Sequence, residues 1–207
     1  MFKLLVATTN AGKLKEFQTL FHTLPIELFS LKKIPSWKEV PETGSTFAEN
    51  ALMKARGYAL QSGLATLAED SGLCCDALEG APGIYSARFA GKDKNDADNN
   101  SKLLKLLQKL PVNCRGAQYE SHIAIVDAAG ETIGTCYGIV RGVIHSEPHG
   151  DQGFGYDPLF FYPPFQKTFG QVPLTEKNKV SHRAHAMQKA RQILADYLAR
   201  VEGEKSL

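Results

Sequence analysis

The stretch that most constrains this sequence is 64–72, where the apolar run Leu64 to Leu67 leads through Ala68 into Glu69-Asp70-Ser71-Gly72. A short apolar run reads as a strand buried on both faces of a sheet. Two adjacent carboxylates straight after it read as the C-terminal end of that strand delivered to a crevice, where α/β proteins bind ligands. An ordinary turn is the alternative, because Asp, Ser and Gly each favour turns for local hydrogen-bonding or backbone reasons. The other polar clusters of the chain decide between the two.

The N-terminus repeats the pattern. Phe2 to Ala7 is a nearly continuous apolar run, and Thr8-Thr9-Asn10-Ala11-Gly12-Lys13 follows it. Leu14, Phe17, Leu20, Phe21 and Leu24 then fall at helical spacing, so a helix is predicted to begin near Asn10 or Gly12. A strand–loop–helix unit aims unsatisfied backbone N–H groups at its loop, where hydrogen bonds and the helix dipole both favour a phosphate. Lys13 adds a full positive charge. The stretch is not a P-loop: its first glycine is missing, and Leu14 stands where that motif requires Ser or Thr. A capped helix start with a solvated lysine is the bland alternative.

Pro25 to Glu39, with Pro35 and Trp37, reads as an extended connection. Glu42-Thr43-Gly44-Ser45 reads as a loop, and Thr46-Phe47-Ala48-Glu49 has the spacing of a capping box opening a helix, with Ala51, Ala55, Tyr58 and Ala59 as its apolar stripe. Lys54 on that helix can reach a ligand at its N-terminal end. Since Glu49 closes the box, Glu42 is the loop acid available to a cation. Gly80 to Arg88 is too rich in turn formers for a helix. The acidic run Asp93 to Asn100 opens a helix over Lys102 to Leu110, and Gln118–Val126, a turn at Asp127-Ala128-Ala129-Gly130, Glu131–Tyr137 and the β-branched stretch to Ile144 read as an antiparallel ribbon. Gly153-Phe154-Gly155-Tyr156-Asp157-Pro158 and Lys177, with Ser181-His182-Arg183 at a helix start, supply aromatics and donors that suit a flat heterocycle. Core packing is the alternative for either aromatic.

Hydrophobic residues at 43%, charged residues at 22% and a net charge of +2 over 207 residues describe an ordinary globular chain, predicted to form one unit over 1–207 with two intimate lobes. That balance does not mark a general nucleic-acid binder, and no apolar run is long enough to span a bilayer. The start does not resemble a signal peptide, so a cytoplasmic location is expected. Cys74, Cys75, Cys114 and Cys136 contain no Cys-x-x-Cys and read as reduced packing residues.

Taken in order, Thr8 to Lys13, Glu42 to Ala51, Glu69 to Leu73, Gly80 to Arg88, Phe154 to Pro158 and Ser181 to Arg183 resemble the inosine/xanthosine triphosphate pyrophosphatase family over nearly the whole chain. The resemblance implies an α/β fold of two lobes around a long mixed sheet flanked by helices, with a nucleotide cleft between the lobes, and a homodimer. It implies that Thr8, Thr9, Asn10, Ala11, Gly12, Lys13, Lys54, Ser71 and Arg88 contact the phosphates, and that Phe154, Gly155, Tyr156, Asp157, Lys177, His182 and Arg183 hold the nucleoside. Glu42 and Asp70 match magnesium-binding positions, and Asp70 the proton acceptor. The implied reaction converts a nucleoside triphosphate and water to a monophosphate and pyrophosphate with Mg2+. Glu69 stands where many members have aspartate. Two readings from other classes remain open: a nucleotide sensor would not need Glu42 and Asp70 together, and a single-stranded nucleic-acid platform sits poorly with near-neutral charge.

Overall fold

The computed structural model describes residues 1–9, 11–93 and 95–204, excluding the side chains of Ala11, Gly12, Glu202 and Glu204. The seven strands β1 (Phe2–Val6), β2 (Ile26–Ser30), β3 (Ala65–Cys75), β4 (Gly116–Val126), β5 (Thr132–Ile144), β6 (Phe160–Tyr162) and β7 (Lys167–Thr168) order as β2-β1-β3-β4-β5-β6-β7. β1 is parallel to β2 and β3, whereas β6 is antiparallel to β5 and β7, so the sheet is mixed. The helices are α1 (Ala11–Phe21), α2 (Phe47–Ser62), α3 (Asp96–Leu107), α4 (Leu174–Val180) and α5 (His182–Glu204). The chain divides into two compact units, residues 1–70, 122–137 and 185–207 in the first and 71–121 and 138–184 in the second.

In the first unit, Phe17 and Phe21 of α1 are buried with Leu4, Val6, Leu67, Ile123 and Ile125 of the strands and with Ala186, Met187, Ala190 and Leu194 of α5. Each such large side chain contributes about 1.5–3 kcal/mol by leaving water. The alanine stripe of α2, Ala51, Ala55 and Ala59, is buried with Ala68, Ala124 and Val126, where only a small side chain lets helix and sheet approach closely. α2 starts at its N-cap Thr46, whose side chain accepts from Glu49 N. The expected capping box is altered: the Glu49 carboxylate accepts from Ser45 N and Oγ at 2.7 and 2.8 Å, one residue before the cap, and those bonds hold its pKa below the usual carboxylate range.

The second unit has its own core, in which Leu73, Leu103, Leu107, Leu159, Phe160 and Phe169 are fully buried. Here α3 begins earlier than its leucine spacing predicts, at the cap Asn95, whose side-chain Oδ1 accepts from Ala97 N and Asp98 N. Gly83–Arg88 forms a 3-10 helix despite its turn formers, and 26–30, expected as an extended connection, is a parallel edge strand.

Of the four cysteines, three fit the expectation of thiols among packed neighbours and Cys114 does not, since it is exposed. Burial pushes the Cys74 and Cys75 thiols up to about 12 and Cys136 up to about 11, with Glu120 adding to the rise at Cys74 and Lys189 opposing it at Cys136. A raised pKa keeps the thiol protonated, and the thiolate is the nucleophile. Alkylation of the folded protein at neutral pH is therefore expected to modify Cys114 first, with the other three reacting only on unfolding; peptide mapping reads the order directly.

Candidate active site

The central acids do not end a strand. β3 runs on through Glu69-Asp70-Ser71-Gly72 to Cys75, which corrects the expectation of a strand end or turn there. What ends is β1. Its last partner pair is Val6 with Leu67, after which Ala7 N donates to Leu67 O and the chain leaves the sheet at Thr8. Glu69 and Asp70 thus stand just past the C-terminal end of a parallel neighbour, the position the crevice argument called for.

Successive strand residues point to opposite faces, and the two acids divide accordingly. Glu69 Oε2 lies 3.1 Å from Lys13 Nζ of α1, with the carboxylate side chain only 4% exposed. Asp70 turns to α2: its Oδ1 lies 3.6 Å from Lys54 Nζ, and its Oδ2 accepts from Asn50 Nδ2 at 3.1 Å. Lys54 Nζ also lies 3.4 Å from Glu42 Oε1, so one ammonium bridges the loop acid and the strand acid. A cavity in this unit is lined by Thr8, Thr9, Lys13, Glu42, Lys54 and Glu69, with Val6, Phe17, Leu31 and Trp37 behind them. Asn10 lies outside the described residues, as do the side chains of Ala11 and Gly12, although α1 does begin at Ala11 as its spacing predicts.

The second unit gathers Phe154, Lys177, His182 and Arg183 around Asp157 and its partners, and Asp157 is 1% exposed. Its Oδ2 takes the Lys177 ammonium in a close buried ion pair and accepts from Phe154 N at 2.9 Å, while its Oδ1 accepts from Tyr119 Oη at 3.2 Å. Burial, then the Asp157 charge, pushes the Tyr119 phenol well up, which keeps it a donor. Gly153 has φ +79°, and a Cβ there would sit 2.1 Å from Asp157 Oδ2, so only glycine lets the loop close on the carboxylate. His182 stacks on Tyr119 at 4.8 Å between centroids. Lys177 Nζ and Arg183 Cζ lie 4.9 and 5.6 Å from the centre of the Phe154 ring, within cation–π range.

The two aromatics of this loop part company. Phe154 is 52% exposed, whereas Tyr156 is 3% exposed and donates to Ser86 O, so Tyr156 is placed in the core and Phe154 presents the open ring. Gly155 is fixed by Asp96 Oδ2 on its N–H and by Asn100 Nδ2 on its carbonyl. Arg88, on the 3-10 helix, lies over Tyr85 at 5.2 Å, and Ser71 lies where β3 enters this unit. Lys177, expected to be a donor to a base, is committed to Asp157. Three residues of these clusters escape a reading by motif: Asn50, Tyr119 and Glu69 as the partner of Lys13. Of these, Glu69 is legible in the sequence as one of the two central acids but not as the partner of Lys13.

An α/β protein whose charged loop and helix side chains gather at a strand end belongs to the class that takes anionic ligands there. Residues 4–193 match the Ham1 family, and the chain belongs to that family. It is 47% identical over 192 residues to the dITP/XTP pyrophosphatase of Desulforamulus reducens, covering 93% of this chain and 95% of the relative. It is 44% identical over 202 residues to the dITP/XTP pyrophosphatase of Listeria monocytogenes, covering 97% and 98%. Among solved structures it is similar to a HAM1 protein from Coxiella burnetii, with TM-score 0.89 and 39% identity over 95% of this chain and 100% of that one. The nucleoside-triphosphatase / dITP/XTP pyrophosphatase from Mycobacterium abscessus gives TM-score 0.78 and 41% identity over 91% and 97%.

Proposed function

We propose that this chain hydrolyses deaminated purine nucleoside triphosphates, dITP and ITP, XTP and dXTP, to the monophosphate and pyrophosphate, clearing them from the nucleotide pool of the cytoplasm as a homodimer. The observation that carries this reading is the meeting of Glu42 and Asp70 at Lys54, in the unit that also holds Lys13 and the start of α1. Relatives named dITP/XTP pyrophosphatases over nearly their whole length support it. Among the described residues no helix is long and apolar enough to cross a membrane.

In this reading water attacks the α-phosphorus, its oxygen becomes part of the monophosphate, the bond to the bridging oxygen breaks, and pyrophosphate leaves with that oxygen. Asp70 accepts the proton of the attacking water. Such a transfer needs positioning and neutralised charge more than covalent help. Lys13, Lys54 and the N–H groups at the start of α1 bind the phosphates. Two carboxylates that reach one cation position are an all-oxygen donor pair of the kind magnesium takes together with phosphate oxygens and waters. Among the described residues no group of three or more His, Cys, Asp or Glu is arranged for a metal. Glu42 and Asp70 would hold the magnesium ion, and when bound it supplies positive charge to the phosphate oxygens.

The base is assigned to the open face of Phe154 with Arg183 beside it, and to His182 next to Arg183 in the chain. Hypoxanthine and xanthine carry an acceptor oxygen at position 6 where adenine carries an amino donor. Arg183 has donors only, so adenine would leave a buried donor unpaired, the costly kind of mismatch. Lys177 acts here through Asp157 and the loop it pins. The test is pyrophosphate release from dITP, XTP, ITP, GTP and ATP with and without Mg2+: the reading expects magnesium-dependent release from the first three and little from ATP.

The Lys13–Glu69 pair makes one further expectation sharp. Triphosphate must share Lys13 with Glu69, and Lys13 is assigned to the phosphates that leave. In a Glu69→Gln background, Lys13→Ala is expected to weaken triphosphate binding by about 10- to 150-fold, the worth of a hydrogen bond to a charged group, and to change monophosphate binding little. Calorimetry with a non-hydrolysable triphosphate and with the monophosphate checks it; equal losses for both would place Lys13 elsewhere.

A further inference from the structure

We propose that Asn50 is a positioning residue that sets the Asp70 carboxylate and the Glu42 loop with a single side chain, an inference that rests on the reading of Asp70 as the group acting on water. Asn50 is 1% exposed in the first turn of α2. Its Oδ1 accepts from Gly44 N at 2.8 Å, two residues after Glu42, and its Nδ2 donates to Asp70 Oδ2 at 3.1 Å. The orientation of the amide is dictated by its partners, since an N–H requires an acceptor and a carboxylate requires a donor.

The geometry is tight at both ends. A Cβ on Gly44 would lie 2.8 Å from Asn50 Oδ1 and 2.7 Å from Glu49 Cβ, so the loop meets the amide with no room for a side chain. At the other end, Asn50 and Lys54 stand one turn apart on α2 and take different oxygens of Asp70, Nδ2 on Oδ2 and Nζ on Oδ1. Two points of attachment from one helix fix the plane of the carboxylate as well as its distance. Asparagine is the residue type this demands: it holds an anion without adding charge to a cluster where Glu42, Asp70 and Lys54 already meet, and its other end accepts. Aspartate could accept from Gly44 but would set a carboxylate against a carboxylate. A misplaced reacting group lowers the rate more than it lowers affinity, so the effect belongs on kcat.

The experiment compares wild type, Asn50→Ala, Asn50→Asp and the exchange Asn50→Asp/Asp70→Asn in the full chain, reading Tm, KM and kcat for pyrophosphate release. Asn50→Ala is expected to lose about 10- to 150-fold in kcat, the equivalent of one hydrogen bond to a charged group, with a much smaller change in KM. Asn50→Asp is expected to lose at least as much and to melt lower. The exchange is expected to regain the melting temperature lost by Asn50→Asp, because the amide–carboxylate pair and the acceptor for Gly44 are both restored, yet to stay inactive because the charge has moved to the helix. A merely structural asparagine would show a lower Tm in Asn50→Ala with kcat close to that of wild type. Near-normal kcat in folded Asn50→Ala overturns the inference while an active wild type leaves the functional reading standing; an active exchange variant overturns the inference together with the role of Asp70, and a wild type without pyrophosphate release overturns the inference and the functional reading alike.

Discussion

Asp70→Asn is expected to abolish turnover while the protein stays folded. The change keeps the shape of the side chain but removes the charge that faces Lys54 Nζ at 3.6 Å, and it sets an amide where Asn50 Nδ2 now finds an acceptor oxygen. An amide neither accepts the proton of water nor serves as an anionic ligand. Losing a general base costs about 10²-fold or more, and the same residue is also assigned to the cation. The side chain is 14% exposed, pairs with Lys54, which lines the cavity, and belongs to no core cluster, so the melting temperature is expected to move little. A folded Asp70→Asn protein that turns over at a near-normal rate would remove Asp70 from the chemistry.

The second large effect lies in the other unit and falls on stability. Asp157→Ala is expected to destabilise the protein by about 3–5 kcal/mol, because it strands the buried Lys177 ammonium. Lys177 is 4% exposed, and Tyr119 Oη and Phe154 N lose the same acceptor. For a chain of this size the loss corresponds to a fall in Tm of roughly 6–20 °C. Replacing both partners, as in Asp157→Leu/Lys177→Met, is expected to recover most of it, since apolar side chains of similar volume need no partner. Calorimetric melting of the three proteins checks this. A single variant as stable as wild type would mean that the pair contributes no net stability, and that Lys177 is available as a donor to the base after all.

The same two sites show what the sequence makes legible. Strand, loop and helix at residues 2–21 are read correctly because their signals are local: an unbroken apolar run, then a period near 3.6 carried by Phe17 and Phe21. Glu42, Lys54 and Asp70 are each legible as chemistry-bearing residues. The run through Asp70-Ser71-Gly72 misleads, because three turn formers in a row mask an extended segment whose support is distant. Leu73 there is fully buried, and its N–H is taken by Ser86 Oγ, thirteen positions later in the chain. β2 is hidden in the same way by the prolines around it. The Lys177–Asp157 pair is twenty positions apart in the chain and carries no spacing signal, so Lys177 reads as a donor to a base when its ammonium is committed to Asp157. Tyr119 is invisible for a different reason: one aromatic in an alternating strand reads as core, and only its hydroxyl bond to Asp157 shows the second role.

Attack at the α-phosphorus by water positioned at Asp70 is tested most directly by the destination of the water oxygen. Turnover of dITP or XTP in isotopically labelled water, with both products resolved by mass spectrometry, is expected to place the heavy oxygen in the monophosphate and none in the pyrophosphate. Label in the released phosphate species, or release of inorganic phosphate in place of pyrophosphate, would contradict it.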